Sequence, residues 1–257
     1  MGFDLKANLM ELLGTFALCY VGGTSTGGML NAALAHGFAL GLFVYAGANI
    51  SGAHYNPAVT VALCLTKNCQ WLTGLFYMAS QLVGGIFAGM MVCYMKMNVP
   101  LQADGPGGPS VGLAYNWYQA AMAETVGTFF LLFTIFGVAV DKRGPGKLCG
   151  LLIGGMLSAQ VLAIGGVSGC ALNPTRFFGP VLGALLVGKG WRGGPYKAVA
   201  IPGPNGAIKH WDNDGSWLIY FFPFLGACIG AFSYQYCFLE EPEVQILGDE
   251  DSEKLKI

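Results

Sequence analysis

Two stretches constrain the fold of this sequence more than anything else in it: Ser51-Gly52-Ala53-His54-Tyr55-Asn56-Pro57-Ala58-Val59 and Ser168-Gly169-Cys170-Ala171-Leu172-Asn173-Pro174-Thr175-Arg176. Each sets small, turn-prone residues before Asn-Pro and an apolar run after it. Asn is a strong helix N-cap, and Pro suits the first helical position because its missing N–H would have no partner there. Both stretches therefore read as loops that break abruptly into helices. The apolar run after Pro57 ends at Thr66, and the one after Arg176 ends near Gly188. Each is about half the roughly 20 residues that span a bilayer. Two half-length apolar helices in matching places point to re-entrant elements of an internally duplicated membrane protein.

Composition agrees. The 257 residues are 54% hydrophobic and 11% charged, where soluble domains carry about 25% charged residues. The net charge of −1 argues against a nucleic-acid partner. Forty glycines suit closely packed membrane helices. The eight cysteines stand singly, with no C-x-x-C spacing, and read as small apolar packing residues rather than disulfides or a zinc site. The first residues carry no cleavable signal, and Lys6 stands where a myristoylation signal wants Ser or Thr.

Apolar runs place full helices at about Ala7–Val21, Asn31–Ile50, Trp71–Tyr94, Tyr118–Val140, Leu148–Gly165 and Trp217–Phe238. A Gly/Pro-rich loop from Pro100 to Ser110, a polar turn from Asp141 to Lys147 and a long polar loop from Lys189 to Gly215 separate them. Lys189, Arg192, Lys197 and Lys209 read as a solvated face of that last loop. The Gly226-x-x-x-Gly230 spacing reads as a helix-packing surface.

Three echoes recur in the same order. Glu11-Leu-Leu-Gly-Thr15-Phe16 returns as Glu124-Thr-Val-Gly-Thr128-Phe129, 113 residues on. Asn56-Pro57 returns as Asn173-Pro174 after 117 residues, and Gln81-Leu-Val-Gly84 as Pro223-Phe-Leu-Gly226 after 142. Residues 1–117 are therefore expected to form one repeat, 118–239 a second, and 240–257 an acidic tail. Each repeat has three spans, so the second is inverted relative to the first, and the half-helices enter from opposite faces. The fold class is an all-α membrane protein: six transmembrane helices plus two re-entrant half-helices in an inverted repeat.

The chemistry of such a site follows from helix ends. Each half-helix N-terminus carries unpaired N–H groups and a partial positive charge. Asn56 and Asn173 can cap with the side-chain oxygen and aim their NH2 donors inward. Gly52, Ala53 and His54, with Gly169, Cys170 and Ala171, would supply carbonyl acceptors along the path. Neutral hydrogen-bonding molecules can follow such a path, while protons and cations meet an electrostatic barrier. Arg176, in the first turn of a membrane-embedded helix, adds to that barrier.

The paired Asn-Pro motifs, Arg176 and the duplicated Glu-x-x-x-Thr-Phe resemble the aquaporins of the major intrinsic protein family, over about residues 7 to 238. The second motif reads Asn-Pro-Thr where the family has Asn-Pro-Ala. The resemblance implies the aquaporin fold, a homotetramer with one pore per subunit, a place in the plasma or vacuolar membrane, and cytosolic termini and tail. It implies water and small neutral solutes (ammonia, urea, hydrogen peroxide) as cargo, the lipid bilayer as surroundings, no cofactor, no metal and no enzyme activity.

Family spacing puts the selectivity filter at His36, Val161, Cys170 and Arg176. This set is most similar to that of plant tonoplast intrinsic proteins. An aquaglyceroporin is the alternative reading, against which stand Phe177, where glycerol channels have Asp, and the small Cys170. The resemblance also makes Glu11 and Glu124 loop-holding, each expected to accept hydrogen bonds from the re-entrant loop of the opposite half. His54 reads as holding its loop, and Cys170 as a pore-facing thiol open to mercury reagents. A secondary transporter would need an Asp or Glu near the half-helix tips, and none is there.

Overall fold

Asp4 starts the first helix by accepting from the Lys6 and Ala7 N–H groups at 2.8 and 3.2 Å. In the computed structural model, which describes residues 2–96, 109, 111–112, 114–188 and 216–239, the order is then wholly helical. Of the Pro100–Ser110 loop only Pro109 is described, and the Lys189–Gly215 loop, with Lys189, Arg192, Lys197 and Lys209, lies outside the described residues, as does the acidic tail.

The long helices are α1 (Leu5–Thr24), α2 (Met29–Ser51), α4 (Trp71–Met95), α5 (Trp117–Ile135), α6 (Cys149–Ser168) and α8 (Phe222–Cys237). The short ones are α3 (Pro57–Leu65) and α7 (Pro174–Leu186), each opening on Pro directly after its Asn cap. α5 runs on as one π turn over Phe136–Val140, and a 3-10 segment, Ser216–Phe221, leads into α8. With those extensions, all the long helices but α1 are long and apolar enough to cross a membrane. α1 has 20 residues and carries Asn8 and Glu11, both buried.

Helix pairing follows a two-fold pattern. α1 packs on α4 and α2, as α5 packs on α8 and α6. α2 meets α6, while α7 lies against α4 and α3 against α8, so each short helix reaches into the other half. Missing side chains make these approaches possible. A Cβ at Gly84 would overlap the Leu12 carbonyl, and one at Gly226 would overlap Thr125's, the position 113 residues on. Between α2 and α6, Gly41 and Gly150 face each other so closely that a Cβ on either would stand 2.7 or 2.6 Å from the other's carbonyl oxygen.

The polarity is that of a body immersed in hydrocarbon. Glu11, Glu124 and Gln81 are fully buried, whereas Leu42, Met122 and Leu162 are more than half exposed. Lipid supplies the outer partners for those apolar side chains, and the polar groups find theirs inside. At one end of the bundle, the Asp141 carboxylate accepts from Arg143 Nη2 at 2.6 Å and from the Tyr234 hydroxyl at 3.0 Å. Arg143 Nη2 also donates to the Phe238 carbonyl at 2.7 Å, tying the α5–α6 turn to the end of α8. Hydrogen bonds from the Arg143 guanidinium hold the Asp141 carboxyl well below the usual carboxylate range.

Candidate functional site

The tips of α3 and α7 meet and are bonded to one another. Asn56 sits in extended backbone, and its Oδ1 accepts from the Ala58 N–H at 2.9 Å. Its Nδ2 donates to the Leu172 carbonyl of the other half at 2.8 Å. Asn173 repeats this: Oδ1 accepts from Thr175 N–H at 2.9 Å, and Nδ2 donates to the Tyr55 carbonyl at 2.8 Å. Each amide thus gives one hydrogen to the opposite loop and keeps a second. Both residues line one internal cavity.

The loops feeding these tips have matching, costly backbones. Gly52, Ala53 and Tyr55 have φ of 87°, 55° and 51°; Gly169, Cys170 and Leu172 have 77°, 50° and 50°. A non-glycine residue held in this region costs of order 1–3 kcal/mol and persists only where its surroundings fix it. Two carboxylates do that here. Glu11 Oε1 accepts from His54 N–H at 2.9 Å and the Ser51 hydroxyl at 2.6 Å; Oε2 accepts from Tyr55 N–H and Gln81 Nε2, both at 2.7 Å. Glu124 accepts from Ala171 N–H at 2.8 Å and Leu172 N–H at 2.7 Å.

These pairings correct the expected partners. Each glutamate holds the loop of its own half, not of the opposite one. The reason is packing: Tyr55 slots between α1 and α2, filling the spaces left by Gly14 and Gly47, with its hydroxyl on the Phe43 carbonyl at 2.9 Å. That keeps the loop beside α1. The Asn amides, not the glutamates, bond across the halves.

In the first half the network extends further. The Thr60 hydroxyl donates to the Asn56 carbonyl at 3.0 Å, so it accepts from Gln81 Nε2 at 3.0 Å and from His54 Nδ1 at 3.1 Å. His54 therefore carries its proton on Nδ1 and leaves Nε2 as an acceptor. In the second half, Phe177 occupies the position that corresponds to Thr60. Its ring stacks on Tyr220 with centroids 3.8 Å apart. Sequence reasoning missed Ser51, Tyr55, Thr60 and Gln81 as parts of the site. Gln81 carried a usable signal, the one amide side chain on an apolar helix.

Arg176 is 6% exposed, and its Nη1 donates to the Cys170 and Gly169 carbonyls at 3.0 and 3.2 Å. Its Nε has no partner among the described residues. His36 is buried on α2 and donates through Nδ1 to the Ala32 carbonyl at 2.7 Å, leaving Nε2 without a partner among the described residues. Gly22 makes room for that ring: a Cβ there would overlap it. Val161 and Cys170 are buried in the same apolar cluster. His36, Cys19 and Cys170 all lie within electrostatic reach of Arg176.

The cavity is about 80 Å³, room for a few waters, since one needs about 10–15 Å³ on this measure. Its wall brings together Gly52, Ala53, His54, Asn56, Ala171, Asn173 and Arg176 with an apolar side that includes Val44 and Leu131. His36, Val161, Gly169 and Cys170 are not on that wall. Among the described residues, no group of three or more His, Cys, Asp or Glu stands together to hold a metal ion.

A family profile described as Major intrinsic protein matches residues 4–234. Aquaporin AqpM of Methanothermobacter thermautotrophicus is 40% identical over 155 residues, which cover 60% of this chain and 62% of that one. Aquaporin AqpM of Methanothermobacter marburgensis is 34% identical over 79% of this chain and 74% of its own. A probable TIP-type aquaporin of Nicotiana tabacum is 34% identical over 73% and 80%. The X-ray structure of the aquaglyceroporin from Plasmodium falciparum superposes with a TM-score of 0.66 at 22% identity, covering 91% of this chain and 96% of that one; at that identity it bears on the fold alone.

Proposed function

Because the chain belongs to the major intrinsic protein family, we propose that it is a passive membrane channel for water and small neutral solutes such as ammonia, urea and hydrogen peroxide, closed to protons and ions. The observation that carries this reading is the pair of Asn amides crossing between two half-helix tips on the wall of one cavity. Their remaining hydrogens, with the positive ends of α3 and α7, present donors at mid-path. Loop carbonyls and His54 Nε2 present acceptors. A water passing the tips gives up bonds to its neighbours and turns its oxygen toward the amides, which breaks a proton-conducting chain. Arg176 adds fixed positive charge that raises the energy of any cation there.

We assign the selectivity filter to His36, Val161, Cys170 and Arg176, the internal duplication to residues 1–117 and 118–239, and the assembly to a homotetramer. We also place it in a vacuolar or plasma membrane with cytosolic termini, as the resemblance drawn from the paired Asn-Pro motifs implies. The filter is tested by stopped-flow swelling of proteoliposomes in water, urea and glycerol gradients. Val161→His adds bulk and a donor beside Arg176, and is expected to lower urea relative to water permeability about tenfold; His36→Ala is expected to raise it by a similar factor. Unchanged solute ratios in both variants would overturn the assignment. Glycerol flux near that of water in the unaltered protein would make it an aquaglyceroporin instead.

A further inference from the structure

The turn joining α3 to α4 brings together two cysteines that sequence spacing did not pair. Lys67 adopts φ of 63°, and the Asn68 and Cys69 N–H groups both return to the Leu63 carbonyl, at 2.8 and 3.0 Å. This folds Cys69 back beside Cys64 on the last turn of α3. Both sulfurs approach one acceptor, the Gln70 carbonyl, Cys64 Sγ at 3.8 Å and Cys69 Sγ at 3.5 Å. The space for them comes from Gly74: a Cβ there would stand 2.6 Å from Cys64 Sγ and 3.9 Å from Cys69 Sγ. Neither is in a disulfide. Cys64 is buried, and Cys69 is part-exposed on a turn whose Lys67, Asn68 and Gln70 face outward.

We propose that Cys64 and Cys69 form a two-thiol site for a soft, thiophilic monovalent cation of the Cu(I) or Ag(I) type. Two sulfurs on one face of a tight turn suit the low coordination numbers of such ions, and thiolate is their preferred donor. A zinc site would require four donors, and no larger His/Cys/Asp/Glu group stands among the described residues. Binding exchanges two S–H bonds for two S–metal bonds: two neutral thiols and one cation give a bis-thiolate complex of charge −1 and two released protons. Occupation would pin the end of α3 to the start of α4.

The probe is Ag(I), titrated into the purified full chain in detergent against a competing monothiol, with bound silver counted per chain. One silver is expected to stay bound. Cys64→Ser and Cys69→Ser are each expected to weaken retention about 100-fold, since each turns a chelate into a single donor. Cys228→Ser and Cys237→Ser are expected to leave it unchanged. Retention undiminished in the first two variants, or abolished in either of the last two, overturns the proposal. Should the serine variants fail to fold, the unaltered protein still decides, through phenylarsine oxide, which bridges neighbouring thiols. Trypsin cuts after Lys67, so an arsenic bridge holds the Cys64 and Cys69 peptides together; adducts that bridge other cysteines, or none, contradict the site.

Discussion

Glu11→Ala is expected to disorder the first re-entrant loop and abolish water flux. The side chain is fully buried and accepts from the His54 and Tyr55 N–H groups, from Gln81 Nε2 and from the Ser51 hydroxyl. Alanine leaves two backbone donors buried with nothing to bond, and removes one of the two acceptors of the Gln81 amide. Each unsatisfied group costs about 1–3 kcal/mol, so the two backbone donors alone amount to about 2–6 kcal/mol. Ala53 and Tyr55, held at positive φ, lose the contact that keeps them there and relax away from the pore. Glu11→Gln is expected to be milder but still damaging, because its single oxygen replaces two and its NH2 faces donors. Glu124→Ala repeats the fault in the second half with fewer donors, those of Ala171 and Leu172 among them, and should cost less than Glu11→Ala. Thermal unfolding in detergent, paired with vesicle shrinkage, reads both effects. An alanine variant as stable and as permeable as the unaltered protein contradicts the loop-holding role.

The second large effect concerns charge. Arg176→Val removes the cation on the cavity wall and frees the Gly169 and Cys170 carbonyls it holds. A unit charge about 4 Å from a passing cation opposes it by roughly 4 kcal/mol at an effective dielectric of about 20. Losing part of that, with the helix ends still in place, is expected to raise proton and cation leak by about tenfold to 100-fold while water still flows. Arg176→Lys keeps the charge but not the guanidinium, whose Nη1 bonds both carbonyls, and should exclude ions nearly as well as Arg. A pH-sensitive dye in vesicles carrying a potassium–valinomycin potential separates these outcomes. A valine variant no leakier than the unaltered protein would show that the barrier rests on the helix tips alone.

Most of the architecture was legible because membrane helices announce themselves by apolar runs, and Asn-Pro by cap chemistry. The half-helices start where Pro57 and Pro174 require, and end within a residue or two of the expected stops. The ends of α5 and α8 were less legible: a π turn and a 3-10 segment depend on packing, around Phe136 for example, that periodicity does not encode. The Asn caps follow from local sequence. Which loop a buried glutamate serves does not; it depends on Tyr55 docking between α1 and α2, a long-range fit. Thr60 and Gln81 are 21 residues apart and meet only because α3 lies back against α4. Cys64 and Cys69 escaped notice for a related reason. Their contact needs the left-handed turn at Lys67, and Lys is a residue that sequence rules do not expect there.

The central claim is that two helix tips meet around a water path through the bilayer, and osmotic shrinkage tests it most directly. Purified protein in liposomes, mixed rapidly with an impermeant osmolyte, should shrink vesicles at least about tenfold faster than bare lipid with little rise on warming, as flow through a preformed path requires. Shrinkage at the rate of protein-free vesicles, with the steep temperature dependence of lipid, would contradict it.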